Sequence, residues 1–165
     1  MFSVGDRIIY GATGVCKVEN IIENELTGTV REYYVLRPVD TDKSTIYVPV
    51  DNEKLVSRMR TVPSAKELKK MMTNAKNEQL EWVDNHLRRN EVFHEILNEG
   101  EIPRILVLFK TLNSRCVMLS EENKRLPKTD ERVYKECQKL LCCEFSAILD
   151  IDQSEVIPFI LDNIA

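Results

Sequence analysis

Pro63-Ser64-Ala65-Lys66-Glu67 marks the point where the chain changes character. Proline supplies the stop, and Ser-x-x-Glu immediately after it has the form of a capping box, in which Ser64 and Glu67 each satisfy the other's orphan backbone donor. A helix therefore begins here and is expected to run to Met71 or Met72. Before it, residues 1–62 hold β-rich runs broken by Gly and Asp with no helical stripe. After it, residues 64–163 read almost entirely as helices. The expected fold class is α+β, a small N-terminal β domain followed by an all-α bundle, with the domains at 1–62 and 63–165.

In the N-terminal half, Val4-Gly5-Asp6 turns into the apolar run Arg7-Ile8-Ile9-Tyr10, and Gly11-Ala12-Thr13-Gly14 ends it. Gly14 is expected to take a backbone angle that side chains resist. Val15 to Ile21 alternates apolar and polar at period two, as a half-buried strand does. Glu25-Leu26-Thr27-Gly28-Thr29 reads as a hairpin turn leading to Tyr33-Tyr34-Val35-Leu36. Asp40-Thr41-Asp42-Lys43 reads as the next turn, before Ile46-Tyr47-Val48-Pro49-Val50. Pro49 has no amide donor and so belongs at a strand edge or end. Four or five short strands in about 60 residues suit a small closed SH3-like or Tudor-like barrel, whose edges and loops rather than its interior would bind a partner.

In the C-terminal half, Leu80, Val83 and Leu87 are assigned to a second helix and Glu91 to Leu97 to a third, capped by Gly100. Pro103 opens a helix burying Ile105, Leu106, Leu108, Phe109 and Leu112. Ser114 to Lys128 reads as a polar loop. Thr129 and Asp130 then cap a long helix with Val133, Cys137, Leu140, Leu141, Phe145 and Ile148 facing inward. Asp152 and Glu155 repeat the capping logic for a last helix, Ser154 to Ile164, which Pro158 is expected to bend or shorten.

Composition narrows the function class. The 165 residues are 43% hydrophobic and 30% charged, ordinary for a globular chain. No run reaches the roughly 18 apolar residues of a membrane span, and the start lacks a signal-peptide pattern, so a cytoplasmic location is expected. The five cysteines, Cys16, Cys116, Cys137, Cys142 and Cys143, show no CxxC or zinc spacing and read as reduced thiols, with Cys16, Cys137 and one of the adjacent pair in the core. His86 and His94 read as surface residues. Neither half contains a nucleophile elbow, a phosphate loop or a metal motif, so neither an enzyme nor a cofactor is expected.

The net charge is −4, yet it is unevenly spread. Residues 1–62 carry 8 basic and 9 acidic side chains, residues 63–143 carry 15 and 13, and residues 144–165 carry none and 5. Any nucleic-acid contact must then be local, in the central helices, and helped by a partner.

The strings Val4-Gly5-Asp6 through Tyr10, Thr13-Gly14-Val15, Glu32-Tyr33-Tyr34-Val35-Leu36 and Ile46-Tyr47-Val48-Pro49-Val50-Asp51-Asn52 together resemble the RNA-polymerase-interacting domain of the bacterial CarD/CdnL family. The same module opens the transcription-repair coupling translocase, but this chain has no helicase motifs. The helical half is similar too, through Glu81-Trp82, Arg88-Arg89-Asn90 and Phe93-His94-Glu95-Ile96-Leu97-Asn98-Glu99-Gly100. The resemblance implies that the β domain binds the polymerase β subunit, with contacts at Asn24, Tyr34, Tyr47 and Pro49. It also implies that Trp82 lies against the minor groove of promoter DNA and stabilises the open complex. Arg88, Arg89, Lys124, Arg125, Lys128 and Arg132 are the basic residues expected to hold the backbone. Neither a membrane nor a small-molecule substrate is implied.

Overall fold

The computed structural model describes residues 1–40 and 44–164, and it divides into two compact units, Met1–Val62 and Pro63–Ala165. In the first, β1 (Arg7–Tyr10), β2 (Gly14–Asn24), β3 (Arg31–Pro38), β4 (Ile46–Pro49) and β5 (Met59–Thr61) form one antiparallel sheet in the order β4-β3-β2-β1-β5. A single 3-10 turn at Gly11–Thr13 links β1 to β2. Gly14 has φ 87° and Gly28, in the β2–β3 turn, has φ 79°, where a Cβ would be strained. Of the turn read at residues 40–43, Thr41, Asp42 and Lys43 lie outside the described residues.

The sheet wraps one core to which all five strands contribute: Ile8 and Tyr10, Cys16 and Val18, Tyr34 and Leu36, Val48, and Met59. It does not close into the expected barrel. The edge strands β4 and β5 have four and three residues, and α1 (Glu53–Val56) stands in the connection between them. Its Leu55 and Val56 pack on the core, covering apolar surface that strand closure would otherwise cover. The period-two reading of β2 also needs correction. Val18 pairs with Leu36 and Asn20 with Val35, so a bulge lies between them. Three positions separate Val18 from Ile21, and only an inserted residue returns Ile21 to the core face.

The second unit contains α2 (Ala65–Asn77), α3 (His86–Glu99), α4 (Ile102–Glu121), α5 (Lys128–Leu149) and α6 (Gln153–Ile164). The Ser64/Glu67 capping box is present in full, and α2 runs five residues past Met72. Gly100 takes a left-handed φ of 65° as the α3 cap. α4 and α5 pack together, α2 lies on α4 and α6, and α3 lies on α4 and α5. Leu68, Phe93, Leu106, Phe109, Leu112, Leu141, Phe145 and Ile160 form the centre of that packing. Cys137 and Cys143 are buried with them, and Cys116 and Cys142 are partly exposed. Burial pushes the Cys137 thiol up to about 12, with Glu136 nearby adding to the shift.

Three helical assignments change. Residues 78–85 are not helical, so Leu80 and Val83 sit on a connector and Leu87, on α3, is 66% exposed. The supposed loop from Ser114 is helix as far as Glu121, which leaves only residues 122–127 between α4 and α5. Pro127 rather than Thr129 precedes α5, and Asp130 is buried at 1% exposure. Pro158 does not shorten α6. It lies on the exposed side, one turn after exposed Ser154, whose carbonyl can bond to water. Among the described residues no helix is long and apolar enough to cross a membrane.

Candidate polymerase and nucleic-acid interfaces

The first candidate surface is the β4 edge. The Val50 N–H bonds to the Glu32 carbonyl at 2.9 Å, so at period two the main-chain groups of Val48 and Ile46 also face β3. Those of Tyr47 and Pro49 therefore face away from the sheet, where among the described residues no strand pairs with them. Tyr47 presents a donor and an acceptor, whereas Pro49 has no donor and its carbonyl already accepts the Asn52 N–H at 3.2 Å, which limits indiscriminate pairing at this edge. The Tyr47 side chain is 44% exposed on the face opposite Val48. Asn24 is exposed at the far end of β2, and its Oδ1 accepts the Glu25 N–H at 2.7 Å. Tyr34 is not available as a surface contact. It is 2% exposed, in the core, and edge-on to Phe2 with ring centroids 6.3 Å apart.

The second candidate surface surrounds Trp82, and it is built from the connector upward. Lys110 of α4 donates from Nζ to the carbonyls of Ala75, Lys76 and Glu78 at 3.2, 2.7 and 2.9 Å. One ammonium thus caps the C-terminus of α2 and pins the start of residues 78–85, a favourable place for a cation. At the other end, Asn85 Oδ1 caps α3 by accepting the N–H groups of Leu87 and Arg88. Arg89 Nη1 donates to the carbonyls of Val83 and Asp84 at 2.8 and 3.1 Å.

Arg89 is fixed in turn from α5. Its Nε and Nη2 donate to the Asp130 carboxylate, with Nη2 to Oδ2 at 2.9 Å, and the two side chains are 6% and 1% exposed. The Arg89 guanidinium lies over the Trp82 ring 4.6 Å from its centroid, and that of Arg115 lies 4.4 Å from it. Phe93 meets the same ring edge-on at 6.2 Å. Trp82 is therefore half-buried and held by two cation–π contacts on a connector fixed at both ends.

The predicted basic residues have different fates. Lys124 and Arg125 join Trp82, Arg89 and Arg115 around a cavity of about 540 Å³, which Leu126 and Pro127 also line. Lys124 pairs with Glu122 at 2.7 Å. Arg88 is exposed and pairs with Glu91 at 3.5 Å. Lys128 and Arg132 are exposed on the first turns of α5. Arg89 cannot serve as a phosphate contact: it is buried, and its donors are engaged by Asp130 and two carbonyls.

Arg115, Lys110 and Asp130 were not anticipated. Arg115 was assigned to the supposed loop, although Leu108, Leu112, Cys116 and Leu119 continue the three-and-four spacing of α4 through it. The buried Arg89–Asp130 pair spans 41 positions and has no local signal.

Residues 2–60, nearly the whole first unit, match the family model described as the CarD-like/TRCF RID domain. The first unit is CarD-like. Across 159 residues, which are 96% of this chain and 99% of the other, the chain is 23% identical to the Bacillus subtilis protein named "Putative transcription factor YdeB". The likeness thus extends through the helical unit that the domain match does not cover.

Proposed function

We propose that the chain is a transcription regulator that adds the β4 edge of its CarD-like domain to the β subunit of bacterial RNA polymerase. In that complex its helical unit sets Trp82 against promoter DNA and stabilises the open complex. The match over residues 2–60 to a polymerase-interacting domain carries this reading. An open strand edge with an exposed tyrosine is the geometry that strand addition requires.

Trp82 suits the second role because its support comes from within its own unit. A ring held in place before binding loses little freedom on meeting DNA. Arg125, Lys128 and Arg132 supply the phosphate contacts, joined by Arg88 and Lys124 once their surface ion pairs exchange partners. Tethering to polymerase raises the effective concentration of DNA, so these few contacts suffice despite the net charge of −4. Partial insertion of an aromatic edge at an already distorted base step then favours the separated strands.

The withdrawal of Arg89 and the ion pairing of Arg88 and Lys124 favour a second reading, a polymerase-binding protein without productive DNA contact. Trp82→Ala separates the two. The expected outcome is unchanged capture of polymerase by the full-length variant with a shortened open-complex lifetime. An unchanged lifetime together with retained polymerase binding would select the second reading.

A further inference from the structure

The cavity beside Trp82 has a lining that mixes cationic and apolar side chains, and contact to phosphates alone does not call for the apolar part. Its lining combines Arg115 and Arg125, which make no ion pair among the described residues, with the apolar Leu119, Leu126 and Pro127. Its volume of about 540 Å³ exceeds what a phosphate group fills and lies within the usual range of small-ligand sites. Two unpaired guanidinium groups in a lining that is otherwise partly apolar suit a phosphate attached to a flat, weakly polar body.

We propose that this cavity binds a phosphorylated small molecule of the mononucleotide class. Arg125 donates to the phosphate from the loop between α4 and α5. Arg115 donates from α4: its attraction to the Trp82 ring acts through the guanidinium face, leaving edge N–H groups for an anion. The base lies along Leu126 and Pro127. Asp84 also lines the cavity and is exposed, so it opposes an anionic ligand and sets a ceiling on affinity. Because the site adjoins Trp82, its occupant would compete with promoter DNA. That consequence rests on the promoter-binding role proposed above, but nucleotide binding does not.

Calorimetric titration of the full-length protein with ATP, adenosine and sodium sulfate at matched ionic strength tests the assignment. ATP is expected to bind at one site, with adenosine and sulfate at least about tenfold weaker, since each lacks half of the recognised chemistry. Arg125→Ala, on an exposed loop position, should weaken ATP at least about tenfold, and Arg115→Ala should do the same. Asp84→Asn should tighten ATP about twofold to fivefold by removing a like charge, a gain that a merely structural role would not produce. Absence of saturable ATP binding, equal binding of sulfate, or an unchanged affinity in folded Arg125→Ala would each overturn the proposal. Binding of duplex DNA that depends on Arg125, without binding of ATP, would also overturn it and make the cavity a cradle for backbone phosphate. Binding of ATP without binding of DNA would leave it standing and defeat the promoter-contact reading instead.

Discussion

In the function proposed above, the β4 edge and the Trp82 site are opposite kinds of recognition surface. At the edge the recognising groups are main-chain N–H and C=O, whose direction follows from the β3–β4 register, so many side chains at Tyr47 leave them in place. At Trp82 the recognising group is one side chain on an irregular connector, and it depends on Lys110, Arg89, Asp130 and Arg115. A surface made of backbone is robust to substitution. A surface made of one side chain outside regular structure needs buried support.

The largest expected effect comes from removing that support. Asp130→Ala leaves a buried guanidinium without its counter-ion and should lower unfolding stability by about 3–5 kcal/mol, measured by urea denaturation. Stability within about 0.5 kcal/mol of wild type would show that the pair does not hold the site. Next is Lys110→Met, which keeps the aliphatic stem but frees three carbonyls. It should cost about 1–3 kcal/mol and accelerate amide exchange in residues 75–85; unchanged exchange there would remove Lys110 from the support.

The edge should respond to backbone chemistry more than to side-chain chemistry. Tyr47→Pro deletes the outward donor without touching the bonds to β3, and should weaken polymerase binding about threefold to tenfold. Tyr47→Thr keeps the donor and should weaken it less. Equal losses would mean that the tyrosine ring, not strand addition, makes the contact.

The smallest effect concerns the start of α2. Backbone and hydroxyl hydrogen bonds from Ser64 hold the Glu67 carboxyl below its usual value. A carboxylate depressed in the folded state contributes stability above its unfolded value, near about 4.3, and loses it as pH falls through the folded value. The difference between wild type and Ser64→Ala should therefore shrink from neutral pH towards about pH 3, as read from melting temperatures in a pH series. A difference that stays constant would mean that Glu67 does not share in the cap.

Much of the fold was legible because its signals are local. Ser64 and Glu67 are three apart, Gly100 follows an apolar stripe, and Gly28 sits where a hairpin needs positive φ. The misreadings arose where local signals are weak. Leu80 and Val83 have helical spacing with Leu87, yet α2 ends at Asn77, where Lys110 satisfies its terminal carbonyls. The stretch after Leu112 read as loop because it opens on the polar run Asn113-Ser114-Arg115 and its exposed side mixes Ser114 and Ser120 with Val117 and Met118, while Cys116 and Leu119 continue the helical spacing. The bulge at Val18/Asn20 coincides with the adjacent polar pair Glu19-Asn20, a break in the alternation whose meaning only the register against β3 decides.

By itself the sequence determined the change from strands to helices at Pro63, the capping of α2 and α3, and the composition of both cores, because these depend on neighbours within a few positions. It also singled out Trp82 and Tyr47. Tertiary structure alone decided that Tyr34 is core, that Arg89 is a buried strut rather than a phosphate contact, and that Arg115 joins Arg125 at one cavity. The physical reason is that burial and charge pairing are properties of position in space. Arg88 and Arg89 are chemically identical neighbours, and only Asp130, 41 positions away from Arg89, makes one of them structural and leaves the other on the surface.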